Sequence, residues 1–212
     1  MKRIKFFQLI FLGIFIMLVK LGRPQLWFMI FLISIILTPL FGRFYCGWIC
    51  PIKSLMDIVD WIYKKFKIKR REVPNWIKKP IFRYIVLIIF LGFMAKIFIT
   101  GRKIPVLIIF TILGVAVTLF FVPSMWHRYF CPYGTLLSFV GLFSKRGLAV
   151  ENENCIKCGI CKSVCPAEAV KMENRKQYPK ILNSLCLSCF KCADLCPKST
   201  IKYISVLKKF KK

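Results

Sequence analysis

Eight of the eleven cysteines in this chain form two closely spaced runs near its C-terminal end. Each run has the spacing C-x2-C-x2-C-x3-C and is followed directly by a proline. A [4Fe–4S] cluster needs four thiolates around a compact core, and in two-cluster proteins the fourth cysteine of each run binds the other cluster. The spacing therefore predicts two clusters. The ligands of the first are Cys155, Cys158, Cys161 and Cys196, and those of the second are Cys186, Cys189, Cys192 and Cys165.

Two other uses of cysteine fit these runs less well. Zinc sites usually contain paired C-x2-C motifs and not runs of four cysteines. Disulfides are rare in a reducing compartment, and the charge pattern described below predicts that both runs face the cytoplasm. We therefore interpret the runs as iron–sulfur ligands, which indicates that the chain transfers electrons.

The remaining three cysteines belong to a shorter motif that occurs twice. The segment CGWICPIKSLM begins at Cys46, and the segment HRYFCPYGTLL begins at His127, the only histidine. When Cys46 is aligned with His127, Cys50 falls on Cys131 without a gap. Because imidazole and thiolate both bind iron and zinc, these four side chains are candidates for an additional metal or [2Fe–2S] site, or for a reactive dithiol.

Local chemistry supports this second site only in part. A proline after each of Cys50 and Cys131 predicts that both thiols lie at helix N-termini, where the helix dipole lowers the pKa of a thiol. The alternative is that these are buried structural thiols and that His127 is an interfacial side chain. Aromatic residues nearby could form a membrane-interface belt or stack on a quinone ring. They are Phe44, Tyr45, Trp48, Trp126, Tyr129, Phe130 and Tyr133.

The segments that position these motifs are strongly apolar. The chain has 212 residues, is 58% hydrophobic and has a formal net charge of +27. Four apolar runs approach the ~20 residues that cross a bilayer, and no small-residue cleavage site follows the first. We expect four transmembrane helices, at Ile4–Leu21, Gln25–Phe41, Ile81–Ile99 and Ile104–Val122.

Basic residues predict the orientation of these helices. Three lie near the N-terminus, ten between the second and third runs, and three in the segment Arg128–Arg146 that follows the fourth, so sixteen flank the runs on one side. The other side has four, namely Lys20, Arg23, Arg102 and Lys103. Since the richer side is usually cytoplasmic, we expect a multi-pass protein of the inner (cytoplasmic) membrane. Both termini and all cysteine motifs would then be cytoplasmic, and membrane lipids would surround the helices.

The motif repeat predicts an internal duplication. Residues 1–145 are expected to form the membrane domain, with two hairpin repeats at about 1–75 and 76–145. Each ends in a short amphipathic helix. In the first, Leu55, Ile58, Val59 and Ile62 share one face, which could lie on the membrane surface or pack on the spanning helices. The segment SKRGLAVENEN is expected to be a polar linker to a cluster domain at residues 150–205.

The basic charge does not indicate nucleic-acid binding, because the basic residues flank apolar runs and do not form an aromatic-interleaved patch. The sequence also contains no nucleotide-binding fingerprint and no catalytic-triad pattern. These observations leave a membrane protein with iron–sulfur chemistry.

The order of these motifs resembles the NapH type of membrane-bound ferredoxin. The same order occurs in the C-terminal part of NosR and, more loosely, in the assembly protein CcoG. The resemblance covers about Phe6 to Tyr203. It implies an α-helical membrane domain and a C-terminal α+β domain with two [4Fe–4S] clusters. It also implies electron transfer between the quinone/quinol pool and a partner redox protein.

The chain departs from this family at His127, because both membrane motifs of such proteins usually read C-x3-C-P. The CcoG resemblance suggests an alternative function, a maturation factor that reduces a metal for a partner oxidoreductase. Metal delivery would favour a Met- or His-rich loop, and the seven methionines are scattered. The sequence therefore favours an electron-transfer subunit, and a catalytic site of its own is not predicted.

Overall fold

A computed structural model describes residues 2–100, 105–174 and 177–205 of the chain. The predicted start of the fourth apolar run at Ile104 lies outside these residues, as do Arg102 and Lys103. The N-terminal two thirds of the described chain are helical, and the C-terminal third has short strands and helices. This agrees with the predicted helical protein that ends in a cluster domain.

The N-terminal part contains one pattern of elements twice. An apolar helical pair is followed by a short helical turn, a Cys-Pro pair and a further helix. In the first copy the helices are α1 (Lys2–Lys20), α2 (Gln25–Phe41), α3 (Phe44–Trp48) and α4 (Pro51–Lys65). In the second they are α5 (Pro80–Thr100), α6 (Val106–Phe120), a π-helical turn (Met125–Phe130) and α7 (Pro132–Val140), which continues into a 3-10 turn (Gly141–Phe143).

Membrane-spanning character is clearest for α5. Within the described residues, only its segment Pro80–Ile97 is both long and apolar enough to cross a bilayer. The apolar helices α2 and α6 have 17 and 15 residues in the structure. The four predicted spans are therefore not all confirmed. Helix α6 begins at Val106, directly after Pro105, which lies outside the helix.

Packing between the helices relies on aromatic rings. Trp27 of α2 is completely buried, and its ring centroid lies 5.2 Å from that of Phe15 in α1. The Trp27 indole Nε1–H donates a hydrogen bond of 2.9 Å to the Tyr45 hydroxyl in α3. Burying these large rings fixes α3, and with it Cys46, against the first helical pair.

Helix α4 packs differently from its predicted stripe. Its most buried apolar side chains are Ile52 and Met56, whereas Ile58 and Ile62 are exposed. Local periodicity identified the helix correctly but not its buried face, because that face depends on contacts with α1 and α6, which are distant in sequence.

The C-terminal third is a small α+β unit with two antiparallel strand pairs. Strand β1 (Arg146–Val150) pairs with β4 (Ile201–Ser205), and β2 (Val170–Lys171) pairs with β3 (Lys180–Ile181). Two single-turn helices each contain the third cysteine of a run, namely α8 (Ile160–Ser163) and α9 (Lys191–Asp194). The expected polar linker is wrong at residues 146–150, because these form a strand whose partner lies at the other end of this unit.

Candidate iron–sulfur sites

Each predicted set of four cysteines lines one small space in the C-terminal unit. Cys155, Cys158, Cys161 and Cys196 line one space, the first cluster cavity. Cys165, Cys186, Cys189 and Cys192 line another, the second cluster cavity. The structure therefore brings together the same sets that the spacing predicts, including the crossed fourth cysteine of each run.

The backbone of both cysteine loops suits an anionic cluster. In the first loop Lys157 and Gly159 have positive φ angles of 55° and 80°, and in the second Ser188 and Phe190 have 51° and 57°. Left-handed residues beside right-handed ones turn successive N–H groups into an anion-binding concavity, which many iron–sulfur sites use. The conformation is costly for residues other than glycine, so its occurrence at matching positions supports a fit to [4Fe–4S] clusters.

The same cysteines are not arranged to bind a single metal ion. Among the residues that the structure describes, no group of three or more His, Cys, Asp or Glu side chains is arranged to hold one metal ion. A cubic cluster differs because each thiolate binds a different iron atom, so that the four ligands surround a volume. The two cysteine-lined spaces have this arrangement.

The four candidate residues of the duplicated motif also meet. Cys46, Cys50, His127 and Cys131 line one small space, together with Trp126 and other buried side chains, and we name it the motif cavity. Cys50 and Cys131 directly precede α4 and α7, as the prolines predicted. The Cys131 Sγ accepts a hydrogen bond of 3.3 Å from the Gly134 N–H in the first turn of α7.

Burial controls the protonation of these groups. It raises the pKa of Cys131 to about 12, and it raises that of Cys50 further, with Cys46 nearby adding to the shift. The expectation that helix N-termini would lower these thiol pKa values is therefore wrong for the metal-free protein, because desolvation of a thiolate outweighs the dipole. Burial, with Lys53 nearby, lowers the pKa of His127 to about 3, which leaves a neutral imidazole.

The motif cavity adjoins the second cluster cavity. Leu187, between two predicted ligands, lines both spaces. Trp48 donates a hydrogen bond of 3.0 Å from its indole Nε1–H to the Ser188 carbonyl. A Cβ on Gly47 would lie 2.3 Å from the Leu187 carbonyl oxygen, so only glycine permits this approach. The duplicated motif therefore packs directly on the second cysteine loop.

The predicted aromatic belt is not seen for three of its members. Tyr45, Trp126 and Tyr129 are 4%, 1% and 3% exposed, and they pack in the protein core. Trp126 and Tyr45 line the motif cavity. Their role in the structure is to enclose this cavity rather than to face lipid headgroups.

Comparison with known proteins agrees with the two kinds of cysteine motif. Residues 24–69 and 103–150 match the family described as a 4Fe-4S binding domain, and residues 154–201 match a 4Fe-4S dicluster domain. An uncharacterized protein of Methanocaldococcus jannaschii is 33% identical over 146 residues, which are 65% of this chain and 56% of that protein. No solved structure matches the chain.

Two named relatives are more distant. The ferredoxin-type protein NapH of Escherichia coli is 23% identical over 159 residues, 63% of this chain and 52% of NapH. The regulatory protein NosR of Stutzerimonas stutzeri is 25% identical over 154 residues, 62% of this chain and 21% of NosR. The chain is therefore related to ferredoxin-type proteins such as NapH. The matches cover only 56% and 63% of the length of the first two curated relatives.

One residue of these sites has no recognisable signal in the sequence. Arg43 is 2% exposed and donates hydrogen bonds of 3.2 Å to the carbonyls of Ser184 and Leu185, just before the second cysteine run. It also contacts the Cys46 Sγ at 3.7 Å. A buried arginine between two thiol-lined cavities stabilises negative charge in either one. Its position after an apolar helix was interpreted only as a topology signal.

Proposed function

We propose that this chain is a membrane-bound electron-transfer subunit that links the quinone/quinol pool to a partner redox protein. The observation that carries this proposal is the packing of the second cluster cavity directly against the helical half, through Gly47 and Trp48. A redox site so placed is close both to a membrane-embedded donor and to the aqueous phase. The relationship to NapH, a ferredoxin-type protein, supports the same function.

The chain's own residues define a short route for electrons. Bound to the two cysteine sets, [4Fe–4S] clusters accept and donate single electrons. Cys161 and Cys192, one from each set, are buried in the same apolar cluster, which makes the two sites neighbours. Cys158 is exposed at the outer site. The second site thus faces the helical half, and the first faces the surface where a partner can dock.

The exposed surface of the helices supports a membrane location. Ile36 of α2, Ile88 and Ile89 of α5 and Ile112 of α6 are between 65% and 76% exposed. Soluble proteins rarely expose large contiguous apolar surfaces. Lipid contact accounts for such side chains on several helices at once.

We also propose that the motif cavity holds a third redox centre of two iron atoms, with Cys46, Cys50, Cys131 and His127 as ligands. Like each of the two cluster cavities, it is a small space lined by four candidate ligands. Mixed thiolate and imidazole ligation of a [2Fe–2S] centre is known chemistry. Through Leu187, this centre would exchange electrons with the second cluster site.

Quinol-linked electron transfer can be tested with purified protein. Under anaerobic conditions, a quinol analogue such as menadiol is expected to reduce the clusters, or the dithionite-reduced clusters are expected to reduce the matching quinone. The visible absorbance and electron-spin signals of the clusters report both directions. A Cys192→Ala variant is the control, because it should lose the signal of the second cluster. Failure of exchange in both directions, in protein that dithionite still reduces, would contradict the proposal.

The proposed topology gives a separate prediction. Reporters fused after Lys212 and inserted near Arg70 are expected to be cytoplasmic, and a reporter at Arg102 is expected on the opposite side. The physical reason is the asymmetry of sixteen basic residues against four. Phosphatase and fluorescent-protein reporters, used as a pair at each position, measure this directly. An exchanged result at any of the three positions would refute the model of four spans with both ends inside.

A further inference from the structure

A separate cavity of ≈ 350 Å³ lies where α1, α4 and the C-terminal unit meet. Cys189, a predicted ligand of the second cluster, borders both this cavity and the second cluster cavity. Most of its walls are apolar. They include Leu9 and Leu12 of α1, Ile58 and Trp61 of α4, and Val164 and Leu195 of the C-terminal unit.

Four hydrogen-bonding side chains form a polar group in this cavity. The Asp57 carboxylate accepts a hydrogen bond of 2.9 Å from the Lys191 ammonium and another from Lys53, which is 1% exposed. Gln8, 7% exposed, donates from its amide to Asp57 at 3.3 Å and to the Gly47 carbonyl at 2.9 Å. Burial alone would raise the pKa of Asp57, but the two lysines lower it below its usual range, so the group stays ionised.

The apolar walls and the few polar groups of this cavity determine which kind of small molecule can bind there. A carboxylate has about four acceptor positions, and three donors here leave one for a ligand hydroxyl. An apolar cavity of several hundred cubic ångströms with a few convergent polar groups is typical of small-molecule sites. The charged groups that line the cavity are four lysines and two aspartates, namely Lys5, Lys53, Lys64, Lys191, Asp57 and Asp60. Three of the lysines are paired with an aspartate, and the two carboxylates repel a lipid phosphate. A neutral ring with hydroxyl groups and an apolar tail fits both parts.

We propose that this cavity binds the headgroup of a quinol, whose hydroxyl donates a hydrogen bond to Asp57 and whose ring contacts the apolar walls of α1 and α4. This inference rests on the proposed function, since it names where the quinol binds. Oxidation of one quinol to the quinone breaks two O–H bonds and releases two protons to water at the open side of the cavity. The two electrons would pass to the [4Fe–4S] clusters that the two cysteine sets would hold, one to each.

Photolabelling of the complete, cluster-containing protein with an azido-quinone analogue tests the site without relying on turnover. In the wild type, label is expected on peptides of α1 or α4. Ile58→Trp, at a partly exposed position, is expected to fill the cavity and lower this labelling about tenfold. Asp57→Asn is expected to raise the analogue concentration for half-maximal labelling about tenfold, the loss typical of one hydrogen bond to a charged group.

Asp57→Asn also removes the partner of buried Lys53, so Ile58→Trp is the variant that keeps this ion pair intact. Glu151→Gln is the matched control, because Glu151 pairs with Lys202 on the surface of the C-terminal unit. Iron content and cluster absorbance check folding in each variant. Unlabelled quinone should compete with the label and phosphatidylglycerol vesicles should not, and the reverse would overturn the proposal.

Failure of this site and failure of the proposed function give different results. If the clusters exchange electrons with quinone but the label falls outside α1 and α4, or is unchanged in Ile58→Trp, the site is wrong and the function stands. If α4 is labelled in a quinone-competed manner but the clusters do not exchange electrons, the site stands and the proposed function is wrong.

Discussion

Removing two ligands of either predicted cluster is expected to lower the iron content of anaerobically purified protein by about four atoms per chain. Suitable variants are Cys155→Ala/Cys158→Ala for the first site and Cys186→Ala/Cys189→Ala for the second. The reason is that two remaining thiolates do not hold a cube of four iron atoms. The wild type should contain about eight iron atoms from these two sites. Colorimetric iron and sulfide analysis measures the change, and the electron-spin signals show which cluster is lost.

Because the fourth cysteine of each run is a ligand of the other run's cluster, single-cysteine variants give a further test of the assignment. Cys196→Ala should affect the same redox step as Cys158→Ala, and Cys165→Ala the same step as Cys189→Ala, because each pair lines one cavity. Ser163→Ala is the control, since Ser163 lies in α8 between Cys161 and Cys165 and its hydroxyl bonds only the nearby Ile160 carbonyl. Protein that carried zinc and no iron in these sites would contradict the assignment.

Replacing His127 by alanine is expected to remove about two further iron atoms per chain, whereas His127→Cys should retain them. A thiolate can take over the coordination position of the imidazole, but a methyl group cannot. Loss of even a supporting contact typically costs 10–100-fold in metal affinity, so loss of a ligand should cost at least as much. Iron content and the electron-spin spectrum, with both cubic clusters intact, are the measurements.

Cys46→Ala, Cys50→Ala and Cys131→Ala should show the same loss as His127→Ala. Thr135→Val is a control near the same cavity, because the Thr135 hydroxyl bonds only the Cys131 carbonyl. If iron content and spectra are the same in His127→Ala, Cys131→Ala and the wild type, the duplicated motif is structural. His127 would then be a core side chain in a copy of the motif that has diverged.

The chemistry of the cluster sites was largely predictable because it depends on local spacing. The interval between cysteines is itself the signal, and the structure places each predicted set around one cavity. The loop conformation was not predictable from the sequence. A glycine such as Gly159 indicates a left-handed backbone, but Lys157, Ser188 and Phe190 adopt one without being glycine. Only the requirement to gather thiolates and N–H groups around one volume accounts for it.

Contacts between distant segments were the main source of error. The sequence of strand β1 looks like a polar linker because its partner strand lies more than fifty positions away. The pairing runs from Arg146↔Ser205 to Val150↔Ile201. The sequence around Arg43 predicts only a cytoplasmic charge, because the carbonyls that bind Arg43 lie far away in sequence, just before the second cysteine run. Neither pairing leaves a pattern in the surrounding sequence, so periodicity and charge counts could not reveal them.

The pairing of β1 with β4 also fixes how the C-terminal unit is attached. The strand that enters the unit pairs with the last strand, whose Tyr203 hydroxyl bonds the Phe41 carbonyl at the end of α2 at 2.8 Å. Arg128 adds a hydrogen bond of 2.6 Å to the Glu168 carbonyl on another side. Such a unit is not a swinging carrier on a flexible tether, since moving it would break a strand pair and several hydrogen bonds together. The distances between its redox sites and the helices are therefore constant. The partner redox protein that we propose would then have to approach the exposed Cys158 side itself, and its docking and undocking would control the rate of electron transfer.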